Sequence, residues 1–380
     1  MKRDDRGYVK VVDRDGGPPT TLAGEFWGEQ GLAWSPDGAT VYFSATAAAM
    51  GDYLPWAVSS SGRRAPRQVL SGAGSLYVQD IAGADGQGQW LVTRHDWSQS
   101  IRALIPGATE EREFSWGNNV SSPTLSRDGK TLLFMDSNPE AGWNYRIGVR
   151  ATDGSPAVAL GKGSPWGFSP DERWVLASVF SPPGLVRYPI GVGASVLVDH
   201  GSLERVGSAG WIKDTHVWIC GNEKGRTARC YLQDIAGGPL KALTPEGLDV
   251  VLVSPDGKLV AVSSGTLDSA TRIMPFTGGD PRPVRGLLAG DLVVAWTKDS
   301  KALLVQTADL PAQLDRLDPV AGTRTHLRSL APPDRAGVMG LGVTSVLDDG
   351  RSYAYSYTRE LGRLYVVTGC RWETMSAPCR

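Results

Sequence analysis

An aspartate-centred turn recurs along this chain at a nearly constant interval, and that rhythm limits the available folds more than any other feature. The clearest copy is Ser35-Pro36-Asp37-Gly38 inside "GLAWSPDGATVYFSA". Proline presets the backbone angle of the first turn position, aspartate hydrogen-bonds back onto the chain, and glycine accepts the positive angle that closes the loop. Val41, Tyr42 and Phe43 follow, residue types that suit a pleated strand. The unit therefore reads as a tight hairpin.

Equivalent hairpins carry Asp85, Asp128, Asp171, Asp214, Asp256, Asp299 and Asp349, at intervals of 48, 43, 43, 43, 42, 43 and 50 residues. Between them lies a second series of turns, as in "YRIGVRATDGSPAVAL", "CYLQDIAGGPLKAL", "RIMPFTGGDPRPV" and "LDRLDPVAGTRTHL". Each period thus holds four short antiparallel strands, A to D, and no window carries helical spacing. The expected fold class is all-β, a β-propeller built from four-stranded blades. One small twisted sheet cannot hide both faces, whereas a ring of sheets stacked face to face hides nearly all of them. A β-sandwich would not keep so even a period.

The two ends suggest how the ring closes. The C-terminal part offers A and B strands around Asp349 and then "GRLYVVTG" as a C strand, while "GYVKVVDRDGGPPTTL" near the N-terminus reads as C, turn and D. Pairing them would remove exposed sheet edges. The expectation is one propeller over residues 1–369, of eight blades with the last shared by the two termini, followed by a tail at 370–380. Both ends offer a C strand, so seven blades with spare strands is the alternative.

Lys plus Arg at 39 and Asp plus Glu at 40 leave a net charge of -1, which gives no pull toward nucleic acid or an anionic membrane. No stretch reaches about 18 apolar residues and "MKRDDRGYVK" lacks the apolar run of a signal peptide, so the chain as written is expected to be cytoplasmic and without membrane insertion. It is also expected to be a monomer. Cys220, Cys230, Cys370 and Cys379 match no zinc spacing and are too scattered for a disulfide framework. Cys220 and Cys230 read as small buried residues.

The "SPDG" hairpins resemble TolB-like and WD-type propeller repeats. The ordered series from "DDRGYVKVVDRDGG" through "TDGSPAVALGKGSPWGFSPDERWVLA" to "YAYSYTRELGRLYVV" resembles the propeller region that follows the kinase domain in a family of bacterial serine/threonine protein kinases, over about residues 5–367. That resemblance implies a sensing part of a signalling protein, extracytoplasmic if it is a detached kinase sensor. Kinase chemistry is not expected, because no Gly-rich phosphate loop, "HRD" or "DFG" occurs. In the family the propeller begins further upstream and has additional blades.

Catalytic motifs are equally scarce: the sequence has no Gly-x-Ser-x-Gly elbow, no His-Glu-x-x-His and no Cys-x-x-Cys. No metal or other cofactor is expected. "VDRDGG" at Asp13 and Asp15 lacks the distal glutamate of a calcium loop and reads as a hairpin turn. His200, His216 and His326 read as packed or surface residues. His95 is followed by Asp96 and Trp97 in what reads as a B-to-C loop, where a His-Asp pair could do acid/base work if the side chains converged; neighbours on a strand point to opposite sides.

In a propeller the D-to-A and B-to-C loops share one face. Here that face is expected to gather Glu25, Trp27, Glu29, His95, Asp96, Trp97, Trp116, Asn118, Asn119, Trp143 and Arg359, together with Tyr145, Asn222, Glu223, Arg226 and Glu360. Aromatic rings mixed with amides and charges suit recognition of a protein, a peptide or a small ligand. Trp34, Trp174, Trp218 and Trp296 lie inside strands and are expected in the core. Three functions stay open: a non-catalytic binding or sensing module, a hydrolase- or lyase-type enzyme using His95 and nearby acids at the channel mouth, and a structural fragment without a ligand.

Overall fold

The computed structural model describes residues 7–47, 51–72, 74–83, 87–264 and 271–371. Its contacts divide it into two compact units, residues 1–98 with 359–380 and residues 99–358. The boundary runs through two long strands, β8 (Gln87–Leu104) and β32 (Tyr353–Arg371), which pair with each other.

The first unit begins with a two-stranded sheet, β1 (Gly7–Val11) and β2 (Thr20–Phe26). A four-stranded antiparallel sheet follows: β3 (Gly28–Trp34), β4 (Thr40–Thr46), β5 (Leu54–Ser59) and β6 (Arg67–Gln68). The next strand, β7 (Ser75–Ala82), pairs with the first part of β8.

In the second unit the last part of β8 pairs with β9 (Arg112–Glu113). Five regular sheets succeed it in chain order. They are β10 (Val120–Leu125), β11 (Thr131–Asp136), β12 (Arg146–Ala151) and β13 (Val158–Lys162); β14 (Ser164–Phe168), β15 (Trp174–Phe180), β16 (Pro183–Pro189) and β17 (Val196–Val198); β18 (Arg205–Lys213), β19 (His216–Asn222), β20 (Arg229–Asp234) and β21 (Lys241–Ala242); β22 (Asp249–Val253), β23 (Leu259–Ser263), β24 (Arg272–Pro275) and β25 (Arg282–Pro283); and β26 (Leu292–Trp296), β27 (Leu303–Gln306), β28 (Ala312–Leu317) and β29 (Arg324–Leu330). Then β30 (Val338–Leu341) and β31 (Ser345–Val346) pair with β32.

Among the described residues, the second unit is a closed ring of six sheets. Apolar clusters seal every joint between consecutive sheets: Leu133 and Ile147 meet Val175 and Ala177, Leu176 and Leu185 meet Val217 and Ile219, and the last cluster joins Ile101, Ala103 and Ala354 to Val120, Leu132 and Phe134. β31 touches both β26 and β10, which completes the circle. The second strands are flanked on both sides and read as nearly continuous buried runs, as in β11 and β19. The outermost strands are short and exposed and carry Arg112, Lys241, Arg282 and Pro283, residues that discourage pairing with another chain.

The recurrent turn is built as its sequence implies. Ser35, Ser126, Ser169, Ser254 and Thr297 donate their hydroxyls to the aspartate two residues on at 2.5–2.8 Å. The same aspartate accepts the backbone N–H of Ala39, Lys130, Arg173, Lys258 or Lys301 at 3.0–3.2 Å. Gly38 supplies the positive φ of 69°. "VDRDGG" is likewise a plain turn, with Gly16 N–H donating to the Asp13 carbonyl at 2.9 Å. The Asp85 turn lies outside the described residues.

The all-β propeller expectation holds, and the expected mode of closure does not. Among the described residues β1 pairs only with β2, so the termini do not share a sheet; the ring of the second unit closes instead through β32, β8 and β9. The separate C strand expected at "GRLYVVTG" is not formed either, because "YAYSYTRELGRLYVV" has no turn dipeptide and continues as one 19-residue strand. The expected tail starts with the last two residues of β32 and otherwise lies outside the described residues.

Two readings of individual residues also change. Trp34, expected in the core, is 44% exposed, while Trp218 and Trp296 are buried. Trp174 is half-buried under the Arg187 guanidinium, 4.6 Å from its ring centre. Cys220 and Cys230 are buried as expected, and they are bonded as a disulfide across β19 and β20.

The closing sheet carries a clasp. Glu111 accepts hydrogen bonds from the phenols of Tyr353 at 2.7 Å and Tyr355 at 2.9 Å and from Arg102 Nε at 3.1 Å. Burial, reinforced by the Glu111 charge, pushes the Tyr353 phenol up to about 12 and raises Tyr355 as well. The alternating "YAYSY" puts these phenols on one face of β32, where they reach the segment around β9.

Candidate functional site

The sequence-selected residues fall into two groups, one in each unit. In the second unit the connection from β9 to β10 and the connection from β11 to β12 meet around Trp116. Asp136, at the end of β11, has no solvent exposure and accepts Arg146 Nε at 2.7 Å, Asn138 N–H at 2.9 Å and Asn138 Nδ2 at 2.6 Å. A buried carboxylate needs this much compensation. Arg146, so anchored, lays its guanidinium 4.7 Å from the centre of the Trp116 ring, and Phe134 meets that ring edge-on at 6.1 Å.

Asparagines lock the backbone of the same connection. Asn138 Oδ1 accepts Asn118 N–H at 3.2 Å, and Asn138 Nδ2 donates to the Trp116 carbonyl at 3.3 Å. The Asn119 carbonyl accepts Ser137 N–H at 2.8 Å and the Ser137 hydroxyl at 3.1 Å, while its buried side-chain Oδ1 has no partner. Gly117 has a φ of 84°, and a Cβ there would come within 2.8 Å of the Asn138 side chain. Trp143, 40% exposed, stands beyond the short 3-10 turn Pro139–Ala141 in the second connection. Trp116 and Asn118 are thus gathered by Asp136, Asn138 and Arg146, and Asn119 by Ser137, residues that sequence reading missed; the signal was the polar run "DSNPEAGWNYR" directly after a buried strand.

The first unit holds His95, Asp96, Trp97, Arg359, Glu25, Trp27 and Glu29. His95 Nδ1 lies 2.8 Å from Glu360 Oε1, and its ring packs edge-on against Tyr77 at 4.6 Å. Asp96 pairs instead with Arg94 Nε at 3.0 Å. The adjacent His95 and Asp96 therefore do not converge, and the carboxylate that meets His95 comes from β32. These residues lie inside β8 and Arg359 inside β32, not in loops, since "VTRHDWSQSIRAL" contains no turn residue cluster. Trp97 is 47% exposed.

Glu25 and Glu29 are likewise strand residues, in β2 and β3, with Trp27 between the two strands. Glu25 accepts the Tyr8 hydroxyl at 2.9 Å. Glu29 keeps a buried, unpartnered Oε1, and burial raises its carboxyl above the usual range. Among the remaining histidines, His326 Nδ1 meets Asp315 at 3.1 Å, His216 Nδ1 meets the Thr215 hydroxyl at 2.8 Å, and His200 Nδ1 is buried without a partner.

No family model matches the sequence, and no curated protein matches it. Among solved structures the chain is similar to a putative TolB from Agrobacterium tumefaciens, with a TM-score of 0.51 and 19% identity over 70% of this chain and 99% of that one. TolB from Acinetobacter baumannii matches with a TM-score of 0.37 and 16% identity, over 72% of this chain and 61% of that one. A puromycin-hydrolyzing peptidase of Mycobacterium tuberculosis gives 0.44 and 18%, over 86% of this chain and 58% of that one. The first likeness makes this a TolB-like β-propeller in fold. Among the described residues no helix is long and apolar enough to cross a membrane.

Proposed function

We propose that the protein is a non-catalytic propeller module that binds an extended segment of a protein partner on the surface around Trp116, Asn118, Asn119 and Trp143. One observation carries this reading: the buried Asp136 holds Arg146 against Trp116, so an aromatic ring and a cation are positioned before any ligand arrives. Such preorganisation lowers the ordering cost of binding. Stacked Trp and Arg are the residue types that dominate protein interfaces. The sequence resemblance to the propeller regions of bacterial serine/threonine kinases adds a role, the sensing of that partner within a signalling protein, and the module acts as a monomer.

The test is a peptide array read by tryptophan fluorescence, with wild type compared against Trp116→Ala and Arg146→Ala. A peptide that binds wild type and is lost in both variants, with unchanged far-ultraviolet circular dichroism, supports the reading. Equal binding by all three sinks it.

A second reading has its own observation, the His95–Glu360 contact of 2.8 Å, which meets the reach required of an acid/base pair. On that reading the first unit performs hydrolase- or lyase-type chemistry at His95. Screening ester, glycoside and uronide substrates would reveal a turnover that His95→Ala abolishes and Trp116→Ala leaves intact.

A further inference from the structure

The described residues hold a group with ligand chemistry that neither reading uses. β19 and β20 are in a register that sets Cys220 directly opposite Cys230, with Cα atoms 3.8 Å apart, and the two sulfurs are bonded. Both cysteines are essentially buried, at 1% and 0% exposure. Asp249 is the first residue of β22 in the neighbouring sheet. A carboxylate oxygen of Asp249 and the two sulfurs all lie within 4.8 Å of one another.

We propose that Cys220, Cys230 and Asp249 form a redox-gated site for a soft divalent metal ion of the zinc type, closed while the disulfide stands and open once it is reduced. Three features support this. First, the donor set is right: two thiolates and a carboxylate are ordinary zinc ligands, and together they more than neutralise a divalent charge. Second, Asp249 is half-buried, and among the described residues its carboxylate accepts no hydrogen bond. A carboxylate in that setting beside two sulfurs lacks the compensation that buried charges normally find, and a cation supplies it. Third, the Leu248 carbonyl oxygen, which also accepts the Thr244 hydroxyl at 2.7 Å, lies 3.6 Å from Cys230 Sγ, close enough to serve as a fourth donor, and Val250 N–H donates to the same sulfur at 3.1 Å.

The two states exclude each other chemically. In the disulfide each sulfur spends its bonding electrons on the other and has no thiolate to offer. Reduction by a small thiol takes two electrons and two protons: the Cys220–Cys230 bond breaks, two thiols form on the protein, and two molecules of the small thiol become one disulfide. Metal binding then releases both thiol protons as two metal–sulfur bonds form. The half-exposed Asp249 supplies the entry side to a pair that is otherwise enclosed by Trp218, Leu243, Leu248, Val260 and Met274.

The test uses the full chain with Cys370→Ser and Cys379→Ser, so that only this pair can respond. Protein reduced with a trialkylphosphine, which becomes the phosphine oxide with water as the oxygen source, is titrated anaerobically with Co2+ alone and then with Zn2+ as competitor. The expected result is one equivalent of Co2+ bound with a thiolate-to-cobalt charge-transfer band, no such band in the oxidised protein, and an affinity weakened at least about tenfold in Asp249→Asn. Asp249→Glu should retain the band, which separates ligand loss from misfolding, and circular dichroism checks the fold of each variant. A reduced pair with no charge-transfer band, an Asp249→Asn protein that binds like wild type, or a disulfide that the phosphine cannot open in the folded chain each overturns the proposal. None of these outcomes bears on the Trp116 surface.

Discussion

The Trp116 group and the His95 group are both networks of aromatic and charged side chains, yet they are held in opposite ways. Around Trp116 the anchor is a carboxylate with no solvent exposure that satisfies an arginine and an asparagine at once. Around His95 the ion pair is part-exposed, with side-chain exposures of 29% and 39%. Water and salt weaken the second far more than the first. The difference teaches that the worth of a polar anchor follows how deeply its charge is buried more than the number of polar contacts drawn around it.

The sharpest way to break the comparison is Asp136→Ala, which strands Arg146 and Asn138. Loss of one partner of a buried pair costs about 3–5 kcal/mol, and a large fall in the unfolding midpoint of the second unit by calorimetry is the expected readout. If the loss stays below about 1 kcal/mol, the idea that burial depth sets the worth of the anchor is wrong. Glu111→Gln is next: it keeps the shape of the clasp but weakens its charge-assisted bonds to Tyr353, Tyr355 and Arg102, an expected cost of about 1–3 kcal/mol.

The same clasp carries a pH signature. The Tyr353 phenol titrates at about 12 in the folded protein, above the usual value of about 10 for an unfolded chain. The folded state therefore holds the proton more tightly, and the associated stability is complete below pH ~10 and drains away as pH rises toward 12. Ultraviolet titration should show delayed phenolate formation at Tyr353, and Glu111→Gln should bring it forward because part of the shift comes from the Glu111 charge.

A smaller effect is expected from Ser126→Ala, which removes a hydroxyl that donates to Asp128 at 2.8 Å and accepts Thr131 N–H at 2.9 Å; denaturant unfolding should report about 1 kcal/mol. Asp128 is held below the usual carboxylate range by the Lys130 N–H and then by the Ser126 hydroxyl. Its folded pKa being depressed, its contribution is present above the unfolded value of about 3.9 and is lost as pH falls through the folded one. The smallest change belongs to Glu360→Gln: a part-exposed pair contributes about 0–1 kcal/mol, so stability should barely move while the His95 environment changes by NMR.

The turns were legible from the sequence because each is settled within six residues: a hydroxyl, an aspartate and a glycine or its equivalent satisfy one another wherever they occur in that order. Trp116, Asn118, Asn119 and Trp143 were legible as connection residues for the same reason, since turn chemistry marks where strands end. His95 and Arg359 fall where the period alone implies a loop, but the local residues contain no breaker and both lie inside strands. Asp136 was invisible as an anchor because its partners stand 2 and 10 residues away on a connection whose fold no local rule dictates.

Local chemistry along the chain accounts for the strands, their hairpins and the packing of sheet on sheet, since each follows from residues that are neighbours or that recur at one interval. Which strand completes which sheet is different: β8 and β32 are far apart in sequence, and only the gain from burying Ile101, Ala103 and Ala354 beside Val120 and Phe134 brings their halves together. The same long-range pairing sets His95 against Glu360 and Tyr353 against Glu111. Burial energy is collected over the whole fold, so no stretch of sequence read alone carries that choice.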